Sequence, residues 1–295
     1  MQEDVWVTVV CSCYNHSGFV IESIQSVLNQ SYKNIQLIVV DDFSTDESVA
    51  IIENFIANFP EINFVKNTSN IGLTKSVNQA MKLARGDFFI DLAADDVLLP
   101  NCIETQLKTF QNSPFTNLAI VYGNAELISE KGTHLSYYFD IDSQNKTIET
   151  IPTGNIYSTV ISSKTIICSV SSMVKKSVFD ALNGYDENLS YEDFDFWIRV
   201  SRNYNIDYID AIVMQKRILP NSLHASFAKS KNKHGYSTHL ILKKAFELNQ
   251  NKIENRNLCT RIYLETKIAL ITRNYYIVFL NTMLLIKVEL SKLKV

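Results

Sequence analysis

The sequence predicts an α/β fold: a mainly parallel sheet flanked by helices, followed by a helical extension. Three observations predict it. Apolar, β-branched runs alternate with amphipathic stripes through the first 92 residues. The alternation has the length of right-handed βαβ crossovers rather than hairpins. Acids and hydroxyls then collect just after the apolar runs, where open parallel sheets bind ligands.

Each element follows from its pattern. Residues 5–10 form a β-branched run that reads as a strand buried on both faces. Residues 17–30 place Val20, Ile24, Val27 and Leu28 on one helical face. Residues 35–40 are a second buried strand. Residues 46–59 carry Val49, Ile52, Ile56 and Phe59 on one face, and 62–65 read as a short third strand. Leu73, Val77, Ala80, Met81 and Ala84 stripe a third helix, and 88–92 follow as a fourth strand. The run is compact enough for a nucleotide-type α/β unit rather than a barrel. From Thr238 onward the pattern is helical, with Leu240, Ile241, Ala245, Leu248, Leu258, Ile262, Leu264, Ile268 and Ile271 recurring.

Composition excludes several classes. The chain has 295 residues, 46% of them hydrophobic and 20% charged, which permits a large core and excludes global disorder. A net charge of −3 argues against a protein held on nucleic acid by charge. Eight glycines and five prolines speak against repeats and low-complexity linkers. The five cysteines are scattered, and Cys11 and Cys13 alternate within an apolar run as small core residues. Neither a disulfide framework nor a zinc site is expected, which suits a reducing compartment. The acidic start leads straight into a strand, so no signal peptide is expected, and no run has the 18 or so apolar residues that cross a bilayer.

The polar clusters lie at three strand ends. The first strand leads into Ser12, Tyr14, Asn15 and His16, the second into Asp41, Asp42, Ser44 and Asp46, and the fourth into Asp95 and Asp96. Taken singly, each has a bland alternative: turn chemistry with Ser44 or Thr45 as helix cap, or a loop leading to a helix at Asn101. Together, at matching ends of one sheet, they read as a site. Carboxylates crowded on one edge repel, and a divalent cation relieves that repulsion.

Three stretches carry a family resemblance: VTVVCSCYNHSGFVIESIQSVLNQSYKNIQLIVVDDFSTDES, NIGLTKSVNQAMKLARGDFFIDLAADD and YEDFDFWIRV. In order and spacing they resemble family 2 glycosyltransferases of the GT-A fold, over roughly residues 4–215. The resemblance implies a nucleotide-sugar donor, UDP-linked above all, an inverting transfer, and a divalent cation, Mn2+ or Mg2+. Ser12 and Tyr14 match the nucleoside pocket, with Tyr14 placed to stack on the base. Asp42 matches the acid that accepts from a uracil-type N–H, with Asp41 beside it. Lys75 stands where the family often has Arg or Lys near the nucleotide base and diphosphate, although a solvated helix lysine is the plain alternative. Asp96 matches the metal ligand and Asp95 its neighbour on ribose or a metal-bound water; Asp95 and His224 are further metal candidates. The familiar D-x-D-D form has an acid two residues before Asp95, where this chain has Ala93.

In the third stretch the resemblance makes Asp193 the general base and Glu192 a residue that positions the acceptor. The bland alternative is an acidic first turn stabilised by the helix dipole; Asp195 reads as structural or exposed. Upstream, Gly184 to Glu187 follows the family pattern of a loop under sugar and acceptor. Where the family carries R-x-H, this chain has Arg217-Ile218-Leu219, so His224 is the substitute imidazole unless it is a surface residue, and Lys216 and Arg217 are candidates for the diphosphate.

The expected organisation is a GT-A catalytic domain over 1–220, with nucleotide-sugar binding over about 1–115 and the acceptor side over about 116–220, then a helical extension over 221–295. Tyr122, Tyr137, Tyr138 and Tyr157 fall on the acceptor side, where they stack on sugars or pack in the core. The acceptor implied is a glycan or lipid-linked saccharide. Residues 251–295 hold eight Lys/Arg and three Glu, which suits packing against the rest of the chain, against another subunit, or against anionic lipid. The expected place is the cytoplasm, at the inner face of the cell membrane if the tail docks there. A second reading, a catalytically silent protein that binds a nucleotide sugar or a partner, stays open.

Overall fold

The computed structural model describes residues 5–162, 167–220 and 234–291. His224 lies outside them. The chain forms two compact units interleaved in sequence. The first comprises Met1–Thr153, Ile167–Tyr185 and Asn205–Ile218; the second comprises Gly154–Ile166, Asp186–Tyr204 and Leu219–Val295.

The first unit is a nine-stranded sheet with helices. In chain order it runs β1 (Val7–Cys13), α1 (Val20–Leu28), β2 (Ile35–Asp41), α2 (Ser48–Ile56), β3 (Asn63–Lys66), α3 (Leu73–Met81), β4 (Phe88–Ala93), β5 (Val97–Leu98), α4 (Cys102–Asn112), β6 (Leu118–Ile128), β7 (His134–Tyr137), β8 (Ser172–Lys175), α6 (Lys176–Ala181) and β9 (Asn205–Arg217). The helix numbered α5 (Tyr157–Val160) intervenes between β7 and β8 and belongs to the second unit. The strand order is β3-β2-β1-β4-β8-β6-β9-β5, with β7 on β6.

The first four places are wholly parallel, as the βαβ pattern predicts. Every residue of β1 is buried, so covered faces account for its Val- and Cys-rich run. Thr8, the first of its two polar side chains, is satisfied: Thr8 Oγ1 donates to Gln36 Oε1 at 2.9 Å and accepts from the Gly86 N–H at 3.0 Å. A Cβ on Gly86 would lie 2.5 Å from the Thr8 nitrogen, so only glycine allows this approach.

Beyond β4 the sheet is mixed. β8 is antiparallel to both β4 and β6, while β6 and β9 are parallel. β4 and β5 stand four places apart in the order yet are joined by residues 94–96 alone. A three-residue link cannot span four strand widths of a flat sheet, so the sheet curls until β5 meets β9. Asp95 and Asp96 sit in that link.

The second unit is helical: α5, then α7 (Glu192–Ser201), α8 (His234–Leu248), α9 (Lys252–Ile271) and α10 (Tyr275–Ser291). Its core includes Phe196, Trp197, Ile241, Leu242, Leu258, Ile262 and Val288. Tyr157 is buried here, its hydroxyl donating to Asn249 Oδ1 at 2.8 Å, with the Arg202 guanidinium 4.0 Å from its ring centre. Tyr122 is likewise fully buried in the first unit. Both are core tyrosines and do not present faces to a sugar. No helix among the described residues is long and apolar enough to cross a membrane.

Candidate active site

Register brings the expected site residues of the first unit together. Ser12 pairs with Val40 and Ala93, and Cys13 with Asp41, so the loops after β1, β2 and β4 begin side by side. The loops after β1 and β2 are locked. Asn15 Oδ1 accepts the Thr45 N–H at 2.7 Å, Ser44 Oγ accepts the Asn15 N–H at 2.9 Å, and Asp46 Oδ2 accepts the Ser17 N–H at 3.0 Å. Asn15 and Phe43 take the left-handed backbone needed for these turns, with φ of 58° and 65°. Burial raises the Asp46 carboxyl, but hydrogen bonds from Ser48 and Ser17 outweigh it and bring the pKa down to about 2.

The first acid pair is thereby engaged. Asp41 accepts the Ser44 N–H at 2.9 Å and the Ser44 hydroxyl at 2.5 Å. Asp42 Oδ1 accepts from Asn67 Nδ2 and the Ile71 N–H, both at 2.9 Å, and its Oδ2 from the Gly72 N–H at 2.8 Å. Gly72, at φ 88°, is the residue before α3, so Asp42 ties β2 to the start of that helix. A carboxylate offers about four acceptor sites, which leaves one on Oδ2. Turn chemistry thus accounts for most of the D-D-x-S-x-D signature without exhausting it.

Around this frame lie three further candidates. Among the described residues Ser12 Oγ is buried with no hydrogen-bond partner. Tyr14 is 45% exposed, free to offer a ring face. Lys75 is exposed on α3.

The second acid pair is different. Asp96 is 3% exposed, and its Oδ1 accepts the Arg217 N–H at 2.8 Å. Burial and then the Asp95 charge push its pKa up, against the opposing pull of the Arg217 N–H, Lys216 and Arg217, to about 7. The Asp95 side chain is 12% exposed, 3.7 Å from His16 Nδ1. Among the described residues no three His, Cys, Asp or Glu side chains converge as a cation cage. Two adjacent carboxylates under mutual repulsion instead fit a hard dication that keeps its waters and shares diphosphate oxygens.

Arg217, a candidate for the diphosphate from its sequence position, turns its guanidinium to the protein. It reaches the Asp95, Ser129 and Glu130 carbonyls and Glu22 Oε2. Sequence reasoning did not find this role, because its partners lie 87 to 195 residues away.

Asp193 and Glu192 lie in the second unit, in the first turn of α7 as expected. Both are partly buried, and Asp193 Oδ1 accepts the Phe194 N–H at 2.7 Å. Asp195, read as structural or exposed, is structural: it is 1% exposed and ion-paired to Arg199 Nε at 2.7 Å and Lys244 Nζ at 2.9 Å. Lys244 also holds Asp186 of the preceding loop. In the first unit the start of that loop is pinned by Asn78, which donates to the Tyr185 carbonyl at 2.9 Å and accepts the Tyr185 N–H at 3.0 Å.

Comparison with known proteins follows the same lines. The family model described as glycosyl transferase family 2 matches residues 8–182. An uncharacterized glycosyltransferase of Methanocaldococcus jannaschii is 29% identical over 236 residues, 79% of this chain and 77% of that protein. The chondroitin synthase of Escherichia coli is 26% identical over 207 residues; the match takes in 70% of this chain but only 28% of that much longer relative. Among solved structures, S. aureus TarS 1-349 in complex with UDP-GlcNAc superposes with a TM-score of 0.66 at 16% identity, over 88% of this chain and 72% of that one. Mannosyltransferase PcManGT from Pyrobaculum calidifontis, in complex with GDP-Man and Mn2+, gives 0.60 at 14% identity, over 98% and 87%. These two likenesses establish the GT-A fold. With the family model covering more than half of its length, the chain belongs to glycosyl transferase family 2 and is a glycosyltransferase.

Proposed function

We propose that this glycosyltransferase moves a sugar, with inversion, from a nucleoside diphosphate to a hydroxyl of a glycan or lipid-linked saccharide, with a UDP-sugar as donor. The observation that carries the reading is the buried, mutually repelling Asp95–Asp96 pair in the link between β4 and β5, beside the unpartnered Ser12 hydroxyl and the exposed Tyr14 ring. The UDP-GlcNAc held by TarS and the GDP-Man and Mn2+ held by PcManGT support a nucleotide-sugar and a divalent cation here.

In this reading Tyr14 stacks on the base and Ser12 hydrogen-bonds the nucleoside. Asp42 uses its remaining acceptor site for a ring N–H, with Asp41 holding the loop. Lys75 faces the diphosphate. Asp96, with Asp95 beside it, holds Mn2+ or Mg2+, which when bound supplies charge neutralisation to the departing diphosphate. Asp193 takes the proton of the attacking hydroxyl, whose pKa lies far above neutral, while Glu192 orients the acceptor. The roles of Asp193 and Glu192 rest on the YEDFDFW stretch.

The test is a screen of UDP- and GDP-sugars for turnover with Mn2+ and with EDTA. A cation-dependent UDP-sugar transferase is expected, with Asp193→Asn slower by about a hundredfold or more. Donor binding with no turnover on any acceptor would support the silent reading instead; full activity in Asp193→Asn would remove Asp193 from the chemistry.

We also place the protein on the inner face of the cell membrane through its C-terminal helices. Tyr275, Tyr276, Phe279, Met283, Ile286 and Leu290 are all exposed and fall within an arc of roughly 100° on α10. The opposite face buries Ile277, Asn281, Leu284 and Val288. Exposed Lys267, Arg273 and Lys287 accompany the stripe, and the positive balance of residues 251–295 suits an anionic surface. Co-sedimentation with phosphatidylserine-containing vesicles, lost on changing Tyr276 and Phe279 to Ser, is the expected result. A dimer closed by this face, or equal pelleting of wild type and variant, would reject the placement.

A further inference from the structure

We propose that Arg217 is a positioning residue: it fixes the Asp95–Asp96 link in the shape that a donor-bound divalent cation requires. The inference rests on the cation-assisted reading above and gives Arg217 a role other than the diphosphate contact that its sequence position suggests.

Arg217 ends β9, where it pairs with Ile128 of β6. From there its backbone N–H reaches Asp96, and its side chain reaches three parts of the first unit. Its backbone N–H meets Asp96 Oδ1 at 2.8 Å, and its Nε donates to the Asp95 carbonyl at 2.9 Å. Nη1 donates to the Glu130 carbonyl at 3.0 Å and the Ser129 carbonyl at 3.2 Å, closing the turn after β6. Nη2 donates to Glu22 Oε2 of α1 at 2.6 Å, and the guanidinium carbon lies 4.9 Å from the centre of the Phe19 ring at the start of that helix.

The arrangement suits positioning rather than ligand capture. Arg217 is 4% exposed, and its donors are directed at protein oxygens. The planar fork can satisfy carbonyls on one side and a carboxylate on another in a fixed geometry, which a lysine ammonium cannot reproduce. Two contacts act directly on the acid pair: one orients the Asp96 carboxylate, and the other fixes the Asp95 backbone. Glu22 anchors the far end of the fork to α1. A cation site built from two carboxylates has few other constraints, so the groups that aim them decide how well they bind.

The experiment measures Mn2+ uptake by electron paramagnetic resonance, with and without UDP, alongside UDP binding in EDTA. It uses Arg217→Lys and Glu22→Ala. Glu22 is half-exposed on a helix, so its loss leaves the fold standing even if Arg217→Lys does not fold. Arg217→Lys is expected to weaken Mn2+ binding about tenfold or more and Glu22→Ala about threefold, in line with the 10- to 100-fold effects of groups that orient metal ligands. UDP binding in EDTA is expected to stay within about twofold. Unchanged Mn2+ affinity in both variants would overturn the assignment. So would equal losses of Mn2+ and metal-free UDP binding, which would make Arg217 a general structural residue. If the unaltered protein takes up no Mn2+, the cation reading falls and this assignment falls with it; if it does while the variants match it, only this assignment falls.

Discussion

Two Asp-Asp pairs lie at the ends of β2 and β4, the strands on either side of β1, and they are solved in opposite ways. Asp41 and Asp42 receive five protein hydrogen bonds between them, from Ser44, Asn67, Ile71 and Gly72. Asp96 is equally buried, but its described hydrogen bond is the single N–H of Arg217. The first pair spends its charge on building loops. The second has far fewer donors around it, and burial together with the Asp95 charge pushes the Asp96 carboxyl up to about 7. Identical dipeptides thus become a satisfied loop scaffold or a buried, sparsely hydrogen-bonded acid pair according to the N–H groups that surround them.

The sharpest way to break this contrast is to change one acid from each pair. Asp96→Asn is expected to cost about a thousandfold in turnover, the several kcal/mol that cation-assisted departure supplies, with little loss of stability. Asp42→Asn is expected to act the other way. Its amide can accept through one oxygen only, and the second half of the group opposes an N–H. A stability loss of about 2 kcal/mol is expected from hydrogen bonds to a charged acceptor. Chemical denaturation and initial rates on both variants decide it; matching profiles would mean that the pairs do not differ in kind.

A third buried acid calibrates the scale. Asp195 is neutralised by cations, Arg199 and Lys244, rather than by N–H groups. Burial pulls the Lys244 pKa down, but Asp186 and Asp195 more than compensate and raise it. Asp195→Ala should remove the buried carboxylate that Arg199 and Lys244 share and cost about 3 kcal/mol in urea unfolding. A loss under about 1 kcal/mol would show that burial makes less of these acids than the contrast assumes.

How much of this the sequence carried depends on the range of the interaction. β1 to β4 and α1 to α3 were legible because hydrophobic period is local, and the parallel half of the sheet follows from it. β6 and β9 were not. β6 reads LAIVYGNAELI, and its pairing with β9 slips at Gly123 and Asn124, so no clean alternation survives. Gly123 is there because a Cβ would press the Val213 side chain at 2.9 Å, a contact that adjacent residues do not announce. The acids and hydroxyls of the site were visible as residue types at strand ends. Their division of labour was not, since Asp42 is engaged by Asn67 to Gly72 and Asp96 by Arg217, 25 to 121 residues away. Asp195 shows the same limit: on the chain it is one acid among three in a first turn, and Lys244, 49 residues on, joins Arg199 in making it structural.

The smallest effect tests the scaffold side of the contrast. Asp46 belongs with Asp41 and Asp42 as an acid committed to loop building, and the Ser48 and Ser17 hydrogen bonds bring its folded pKa down to about 2, below the ordinary aspartate value. A depressed carboxyl contributes stability that is fully present above its unfolded pKa and is lost as pH falls through its folded pKa. The advantage of the wild type over Asp46→Asn should therefore hold above pH ~4 and fade by pH ~2. Asp46 is solvent-exposed, so screening keeps the advantage below about 1 kcal/mol. Thermal unfolding of both proteins across that window measures it. A gap that stays constant down to pH ~2 would mean that the Ser17 and Ser48 N–H groups bind the protonated carboxyl as well as the carboxylate. In that case charge plays no part in closing the loops beside the candidate nucleotide pocket, and only the geometry of the accepting oxygens matters.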